Sequence, residues 1–444
     1  MMKFLMPLII LIITNMIFKK KFLQNNNLIL IILMMTSFLL LNNNNNMFPM
    51  KITLFFSMDN LSFILIILTI WITMIMIMTL NNLTKNLCLC INTMILLNLI
   101  LIILFSTMNW LMFYILFEVS LIPTLFLILG WGSYNDRIKA NSMMMIYTMA
   151  ASLPLLMYII TTTYNFDSFM MFILKDYIKL SMNYFYYLMM ILAFLVKLPM
   201  FIFHMWLPKA HVEAPVFGSM ILAAIMLKLG SYGILKLNMF MKCMSLKFSI
   251  LITCVSILGA ITLSFVCLYN YDMKIIIAYS SVVHMSMMIS CLMNLNNSGI
   301  NGSINLMISH GLCSSGLFCL INLMYMMTKS RSLILNKGLI NLSPSLTLMC
   351  FLLLSSNMSS PPSLNLLGEL FLITSLMKFS IYCMILIMML CFFSSIYSIY
   401  LFTNSQFLNL MTLNNKNSLK IKEFMMILLH WMPLNLIFLN LFYL

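Results

Sequence analysis

Apolar runs of membrane-spanning length follow one another along almost the whole chain, and they constrain the fold more than any other feature. Dividing the sequence at Asn-rich, charged and Pro/Gly-rich positions yields about fourteen runs near the ~20 residues that a helix needs to cross a bilayer. The sequence therefore predicts an all-α polytopic membrane protein. The predicted spans are 4–18, 24–41, 61–80, 87–108, 110–130, 143–163, 184–207, 214–236, 247–269, 274–294, 303–327, 346–377, 380–403 and 424–443.

The composition agrees with a polytopic membrane protein and limits the kinds of partner that the chain can bind. Hydrophobic residues make up 63% of the 444 residues and charged residues 7%, so a soluble core could not bury this much apolar surface behind so few solvated groups. A net charge of +15 can indicate nucleic acid. Here the basic residues stand singly or in short runs between apolar stretches, where they suit phospholipid headgroups. We expect contacts with phospholipids and none with nucleic acid.

Nothing in the sequence predicts a redox centre or a metal site. The eleven cysteines are scattered, and the closest pair, Cys88 and Cys90, lacks the CxxC spacing of a redox or zinc site. The longer connectors contain no nucleotide-binding fingerprint, so no bound NADH, flavin or iron-sulfur cluster is expected in this chain. No cleavable signal peptide is expected, because a basic cluster and further spans follow the first apolar run. The 51 methionines and the scarcity of Ala, Arg and Val suggest an AT-rich organellar genome.

Two of the predicted spans look interrupted by proline next to an ionisable residue. Pro199 follows Lys197 by two residues, and Pro361 and Pro362 lie in an apolar neighbourhood that ends in Glu369. Proline removes a backbone donor and disfavours helix at the preceding residue. Ordinary proline kinks are one alternative, but two interruptions beside ionisable residues favour broken helices that line an ion pathway.

Four ionisable residues lie inside these apolar runs. Lys197 and Lys228 lie well inside their apolar runs, where inserting a lysine into the membrane costs ~2.5–3.5 kcal/mol on insertion scales. A chain tolerates that cost chiefly when the charge has a function. Glu118 is more than one helical turn from either end of its run, so it needs a counter-charge, a proton or water. Glu369 is a further candidate, with the alternative of a partly hydrated helix residue held by Lys378.

Two histidines extend this set. His310 and Ser314 are spaced i, i+4, which places polar groups on one helix surface that could carry water, and His284 follows Ser280 at the same spacing. A satisfied structural hydrogen bond is the alternative for each imidazole. His204 and His211 are predicted at the membrane interface and His430 without polar company, and Glu213 is predicted to begin a helix, where a carboxylate is favoured by the dipole.

These residues together suggest proton transfer. Burial favours neutral lysine and a nearby carboxylate favours charged lysine, so moving the carboxylate switches the proton on the amine. We therefore predict a Glu118–Lys197 pair that forms and breaks, with Lys228 and His310 passing the proton towards Glu369.

Several motifs now identify a resemblance. The run KLPMFIFHMWLPKAHVEAPVFGSMILAAIMLKLGSYG resembles the signature of the NADH-quinone oxidoreductase chain 4 family, the mitochondrially encoded subunit of respiratory complex I. The same family contains stretches similar to LFEVSLIPTLFLILGWG, DMKIIIAYSSVVHMS, NLMISHGLCSSGLF and PPSLNLLGEL in this order. The resemblance covers most of residues 100–400.

The resemblance implies an antiporter-like fold of about fourteen helices with two inverted five-helix repeats. The chain would divide into N-terminal helices (1–86), a first repeat (87–245), a second repeat (246–403) and a connector with a last helix (404–444). The residues matching the family's proton path are Glu118, Lys197, Lys228, His284, His310 and Glu369.

The resemblance also implies partners and location. NADH, FMN, iron-sulfur clusters and ubiquinone would be bound by partner subunits. This chain would contact other membrane-arm and accessory subunits and would move protons through the mitochondrial inner membrane. Two rivals are a stand-alone cation/proton antiporter subunit, against which the composition and signature argue, and a purely structural subunit. An inert scaffold would gain stability by replacing six buried ionisable groups with leucine.

Overall fold

The computed structural model describes residues 8, 50–51, 56–80, 86–132, 135–166, 184–407 and 419–439. Helices dominate these residues, and a two-stranded antiparallel sheet pairs β1 (Met50–Lys51) with β2 (Ser57–Met58). The helices are α1 (Asn60–Thr79), α2 (Leu87–Ser106), α3 (Trp110–Val119), α4 (Leu121–Trp131), α5 (Arg137–Phe166), α6 (Tyr184–Lys197), α7 (Trp206–Glu213), α8 (Val216–Ile221), α9 (Leu227–Phe240), α10 (Lys242–Tyr269), α11 (Met273–Met293), α12 (Asn297–Thr328), α13 (Leu339–Leu342), α14 (Pro344–Asn357), α15 (Leu364–Phe379), α16 (Cys383–Gln406) and α17 (Ile421–Leu439).

The helices confirm a multi-pass membrane architecture. Ten helical stretches among the described residues are long and apolar enough to cross a membrane, with α3 and α4 counted as one and α8 and α9 as another. Two further apolar helices, α6 and α14, are shorter because each ends at a break. Every predicted span from 61–80 onward contains a helix, whereas the predicted spans 4–18 and 24–41 lie outside the described residues apart from residue 8.

Two compact units divide the chain. The first comprises residues 1–193 and 213–225, and the second comprises residues 194–212 and 226–444. In the first unit, α2 packs against α1, α3 and α4, and Asn98 donates a buried hydrogen bond to the hydroxyl of Thr73 at 3.2 Å. Because apolar helices gain little from hydrophobic burial inside lipid, such polar contacts between spans help to hold them together.

In the second unit, α12 packs closely against α15 and also contacts α11, α14 and α17. Gly302 of α12 permits this approach, since a Cβ there would lie 3.0 Å from the backbone nitrogen of Leu372 and 3.1 Å from the carbonyl of Gly368. Small residues at helix crossings let backbones approach in this way. The two helices that carry His310 and Glu369 are therefore held at short range.

Both predicted interruptions are complete breaks. Between α6 and α7, residues 198–205 leave the helix, and the indole nitrogen of Trp206 donates to the carbonyl of Val196 across the gap at 3.1 Å. Between α14 and α15, residues 358–363 are unwound, and the amide of Asn365 donates to the carbonyl of Ser356 at 2.7 Å. Such side-chain donors satisfy backbone groups that a break would otherwise leave bare at membrane depth.

The prediction for Glu213 was wrong. Glu213 is the last residue of α7, and the next helix begins at Val216 with Pro215 as its N-cap. Proline disfavours helical backbone at the residue before it, so Ala214 cannot continue α7 into α8. The carboxylate therefore lies at the end of a helix and not at its beginning.

Candidate functional site

The centre of the candidate site is a contact between two residues that are far apart in the sequence. Lys228 lies on α9, directly after a π-helical turn at Leu222–Met226, and its ammonium nitrogen is 3.0 Å from Nδ1 of His310 on α12. Lys228 is 0% exposed and His310 is 3% exposed. Since π turns often mark functional positions in helices, the local geometry agrees with the placement of Lys228 at a functional site.

The site continues from His310 to a carboxylate. The rings of His310 and His284 have centroids 5.7 Å apart, and Nδ1 of His284 is 3.4 Å from Oε1 of Glu369. Both His284 on α11 and Glu369 on α15 are buried. Of the six predicted site residues, the structure brings these four into one row, which we call the buried row: Lys228, His310, His284 and Glu369.

Two hydroxyl groups complete the polar surroundings of the buried row. The hydroxyl of Ser359, in the break between α14 and α15, donates to Oε2 of Glu369 at 2.6 Å. The phenol oxygen of Tyr397, on α16, lies 3.4 Å from Nε2 of His284. Both ring nitrogens of His284 therefore have polar neighbours, which is the arrangement that sets which nitrogen carries the proton. Sequence inspection alone singled out neither hydroxyl.

His211 and Lys274 are functional candidates that the sequence prediction missed. His211 is 1% exposed and stacks on Phe318 with ring centroids 4.7 Å apart, so its imidazole is packed against protein. Lys274 is also buried and donates to the carbonyl of Val212 at 3.4 Å. The ammonium groups of Lys274 and Lys228 both act electrostatically on the His211 imidazole, and His211 acts on His310.

A sequence signal for His211 did exist. The residue lies on α7, directly after the first break, and a break at membrane depth is tolerated only where protein or water covers it. The sequence analysis instead placed His211 at the membrane interface. His204 is buried as well, with Nδ1 against the carbonyl of Phe201, whereas His430 is fully buried and bonded through Nδ1 to the carbonyl of Met426.

The remaining predicted residues are Lys197 and Glu118. Lys197 is 2% exposed and ends α6 at the first break. Glu118 lies near the end of α3, and its Oε1 is buried with no hydrogen-bond partner within the part of the chain that the structure describes. Glu118 belongs to the first compact unit and Lys197 to the second, so their pairing stays a prediction.

The chemistry available to the buried row is proton transfer. Lysine, imidazole and carboxylate groups can each gain or lose a proton. Lys228 meets His310 and His284 meets Glu369 at hydrogen-bond or near hydrogen-bond range, and the two imidazole rings between them have centroids 5.7 Å apart. Metal binding has no comparable support, since the described residues contain no group of three or more His, Cys, Asp or Glu that could hold a metal ion. Charges buried this deeply are costly, and in membrane segments they mark ion or proton paths by default.

Comparison with known proteins identifies the family of this chain. A family model described as NADH:quinone oxidoreductase/Mrp antiporter matches residues 107–396, and one described as NADH-ubiquinone oxidoreductase chain 4, amino terminus, matches residues 1–107. Curated relatives named NADH-ubiquinone oxidoreductase chain 4 include those of Ceratitis capitata, 45% identical over 88% of both chains, and Lumbricus terrestris, 42% identical over 87% of both chains.

Solved structures show the same fold at low sequence identity. A chain of respiratory complex I from Thermus thermophilus with bound NADH is 19% identical, covers 99% of this chain and 96% of that chain, and superposes with a TM-score of 0.88. A chain of the Mrp complex from Dietzia sp. is 18% identical, covers 87% of this chain and 43% of that chain, and superposes with a TM-score of 0.79. On the family matches and the relatives together, this chain belongs to the NADH-ubiquinone oxidoreductase chain 4 family.

Proposed function

We propose that this chain is a proton-translocating subunit of the membrane arm of respiratory complex I. NADH oxidation and ubiquinone reduction take place in partner subunits, which bind the NADH, FMN, iron-sulfur clusters and ubiquinone. The free energy released by these two reactions drives protons through this chain across the mitochondrial inner membrane. Relatives at 41–47% identity that are named as chain 4 of the NADH-ubiquinone oxidoreductase support this function.

The observation that carries the proposal is the buried row itself. Lys228 meets His310 at 3.0 Å, and His284 meets Glu369 at 3.4 Å, inside spans that are otherwise apolar. A proton passes from the ammonium of Lys228 to the imidazole of His310, then to His284 and on to the carboxylate of Glu369. The ring spacing of 5.7 Å between the histidines requires a ring reorientation or a bridging water for that step.

We further propose a switch that delivers protons to the buried row. A carboxylate near Lys197 stabilises its charged form, and loss of that carboxylate releases the proton towards Lys228. Glu118 is the carboxylate assigned to this task. Support comes from the burial of Lys197 at the end of α6 and from the buried, unbonded Oε1 of Glu118. The non-helical backbone of the first break follows Lys197 directly.

The proposed architecture is about fourteen helices with two inverted five-helix repeats, at 87–245 and 246–403, after N-terminal helices at 1–86 and before a connector and last helix at 404–444. The positions of the breaks support it. The fourth span of each proposed repeat is the broken one, α6–α7 in the first and α14–α15 in the second. Proposed partners are the other membrane-arm and accessory subunits, phospholipids, protons and water.

The test uses the assembled complex in sealed vesicles. Glu118→Gln and Glu369→Gln each remove a titratable proton while keeping side-chain size, so we expect assembly on native gels with loss of NADH-driven proton pumping. Glu423→Gln is the matched control, because Glu423 lies in the first turn of α17 and accepts an exposed hydrogen bond from the backbone of Lys420. Normal pumping in both site variants of a fully assembled complex contradicts the proposal.

A stand-alone cation/proton antiporter subunit is the second candidate. Its support is the likeness to the Mrp complex chain, whose fold matches over 87% of this chain. Sodium dependence separates the two functions. Proton movement that follows NADH oxidation and ignores sodium favours the complex I subunit, whereas sodium-driven proton exchange without NADH favours the antiporter.

A further inference from the structure

The unwound segment between α14 and α15 holds a hydroxyl with two competing acceptors. The Oγ of Ser359 lies 2.6 Å from Oε2 of Glu369 and also 2.6 Å from the carbonyl oxygen of Met358. A serine hydroxyl has one hydrogen to donate and lone pairs that accept. It therefore donates to only one of these two oxygens at a time.

This geometry suits a carboxyl group that changes its protonation state. When Glu369 is ionised, the hydroxyl of Ser359 donates to Oε2. When Glu369 carries a proton on Oε2, the carboxyl donates that proton to Oγ, and the hydroxyl hydrogen turns to the carbonyl of Met358. Rotation of one C–O bond in Ser359 thus satisfies both states without any backbone movement, and the carboxyl keeps its orientation towards His284.

The backbone of the break is held in place from two sides. Ser359 has φ of 56°, in the left-handed region that costs a non-glycine residue free energy unless its surroundings impose it. Its amide donates to the carbonyl of Ser356 at 3.2 Å, and Asn365 donates to that same carbonyl at 2.7 Å. From α17, the amide nitrogen of Asn435 donates to the carbonyl of Pro362 at 2.6 Å once its side-chain amide is oriented to satisfy both neighbours.

We propose that Ser359 is a positioning residue for proton transfer, which holds the Glu369 carboxyl in both protonation states and stabilises its ionised form. This inference rests on the proposed function of the chain and deepens it. Hydrogen bonds from a neutral donor to a charged acceptor are stronger than neutral ones, so the hydroxyl favours the carboxylate over the acid. Ser359 itself need not exchange a proton with solvent.

Other titratable groups also face Glu369 and must stay constant in a test. Among the described residues these are His284 of α11, Cys313 of α12, and Cys391 and Tyr397 of α16. A change confined to Ser359 leaves all four in place. A shift in pH dependence then reports the loss of the hydroxyl.

The test compares Ser359→Gly with wild type in the assembled complex. Glycine tolerates positive φ and lacks the hydroxyl, so the backbone of the break is retained. Without the donor the ionised carboxyl loses a hydrogen bond that stabilises it. We expect the acid limb of the pH profile of NADH-driven pumping to move to higher pH by about one unit. A shift of this size corresponds to the loss of one charge-assisted hydrogen bond. Ser360→Gly is the matched control, because its hydroxyl bonds only the carbonyl of Ser355, and its profile should match wild type.

Three further results decide the matter. Should Ser359→Gly fail to assemble, Ser359→Ala removes the same hydroxyl with Cβ retained and is expected to give the same upward shift. A profile that superposes on wild type in an assembled Ser359 variant overturns the inference. Full pumping in Glu369→Gln overturns the proposed role of Glu369 instead, so the two failures are distinguishable.

Discussion

Gly230 offers a direct test of how tightly the first break is held. It lies on α9, where the helix meets the last turn of α6. A Cβ at this position would lie 2.8 Å from Cγ of Leu198, 2.9 Å from the backbone nitrogen of Leu198 and 2.9 Å from the carbonyl oxygen of Phe194. Those two backbone atoms hydrogen-bond each other at 2.7 Å, so neither can turn aside independently.

The substitution Gly230→Ala therefore forces a backbone shift. Ordinary carbon contacts are about 3.5–4.0 Å, so the last turn of α6 must retreat by roughly half an ångström or more. Overpacking of this kind costs about 1–3 kcal/mol. Lys197 lies between the two displaced residues in the chain, so the lysine moves with them. We expect both lower stability of the assembled complex and slower proton pumping.

The assay is the fraction of assembled complex that survives heating, read on native gels, with pumping measured on the surviving fraction. Gly130→Ala is the matched control, because a Cβ at Gly130 would meet no atom within 4 Å. Alanine there should be neutral or should stabilise α4 by up to ~1 kcal/mol through helix propensity. Equal heat resistance and equal pumping in the two variants would refute the reasoning about the α6–α9 contact.

Three other predictions follow from the site and its supports. Lys228→Met keeps side-chain length but removes the partner of His310, so the complex should assemble on native gels while proton pumping falls at least about tenfold, the effect of ~1.4 kcal/mol. Trp206→Phe removes the hydrogen bond to Val196 across the first break, so the free energy of unfolding should fall by about 0.5–1.5 kcal/mol. The assembled complex should then survive heating less well, while pumping at low temperature is retained. Tyr397→Phe removes the phenol that faces Nε2 of His284, so pumping should slow without loss of assembly, and an unchanged rate would remove Tyr397 from the site.

Much of the candidate site could be predicted from local sequence. Lys197, Lys228 and Glu369 could be identified because a charge inside an apolar run is costly wherever the run folds. The prolines at 199 and 361 indicated the two breaks, because proline removes a backbone donor from a helix. His211 and Lys274 did not stand out, because each lies near an end of its helix in a polar stretch of sequence. Their burial depends on which helices cover them, and no local pattern carries that information.

The membrane-spanning class, the positions of the helices from residue 61 onward and the identity of the costly buried charges were determined by the sequence itself. The length of an apolar run and a charge within it act inside one segment, so no other part of the chain is needed to recognise them. Tertiary structure decided the neighbours. Lys228 and His310 are separated by 82 positions yet meet at 3.0 Å, and Ser359 reaches Glu369 only because the chain unwinds between α14 and α15. Contacts of this kind arise from the packing of whole helices against one another, so the geometry of the buried row is a property of the fold.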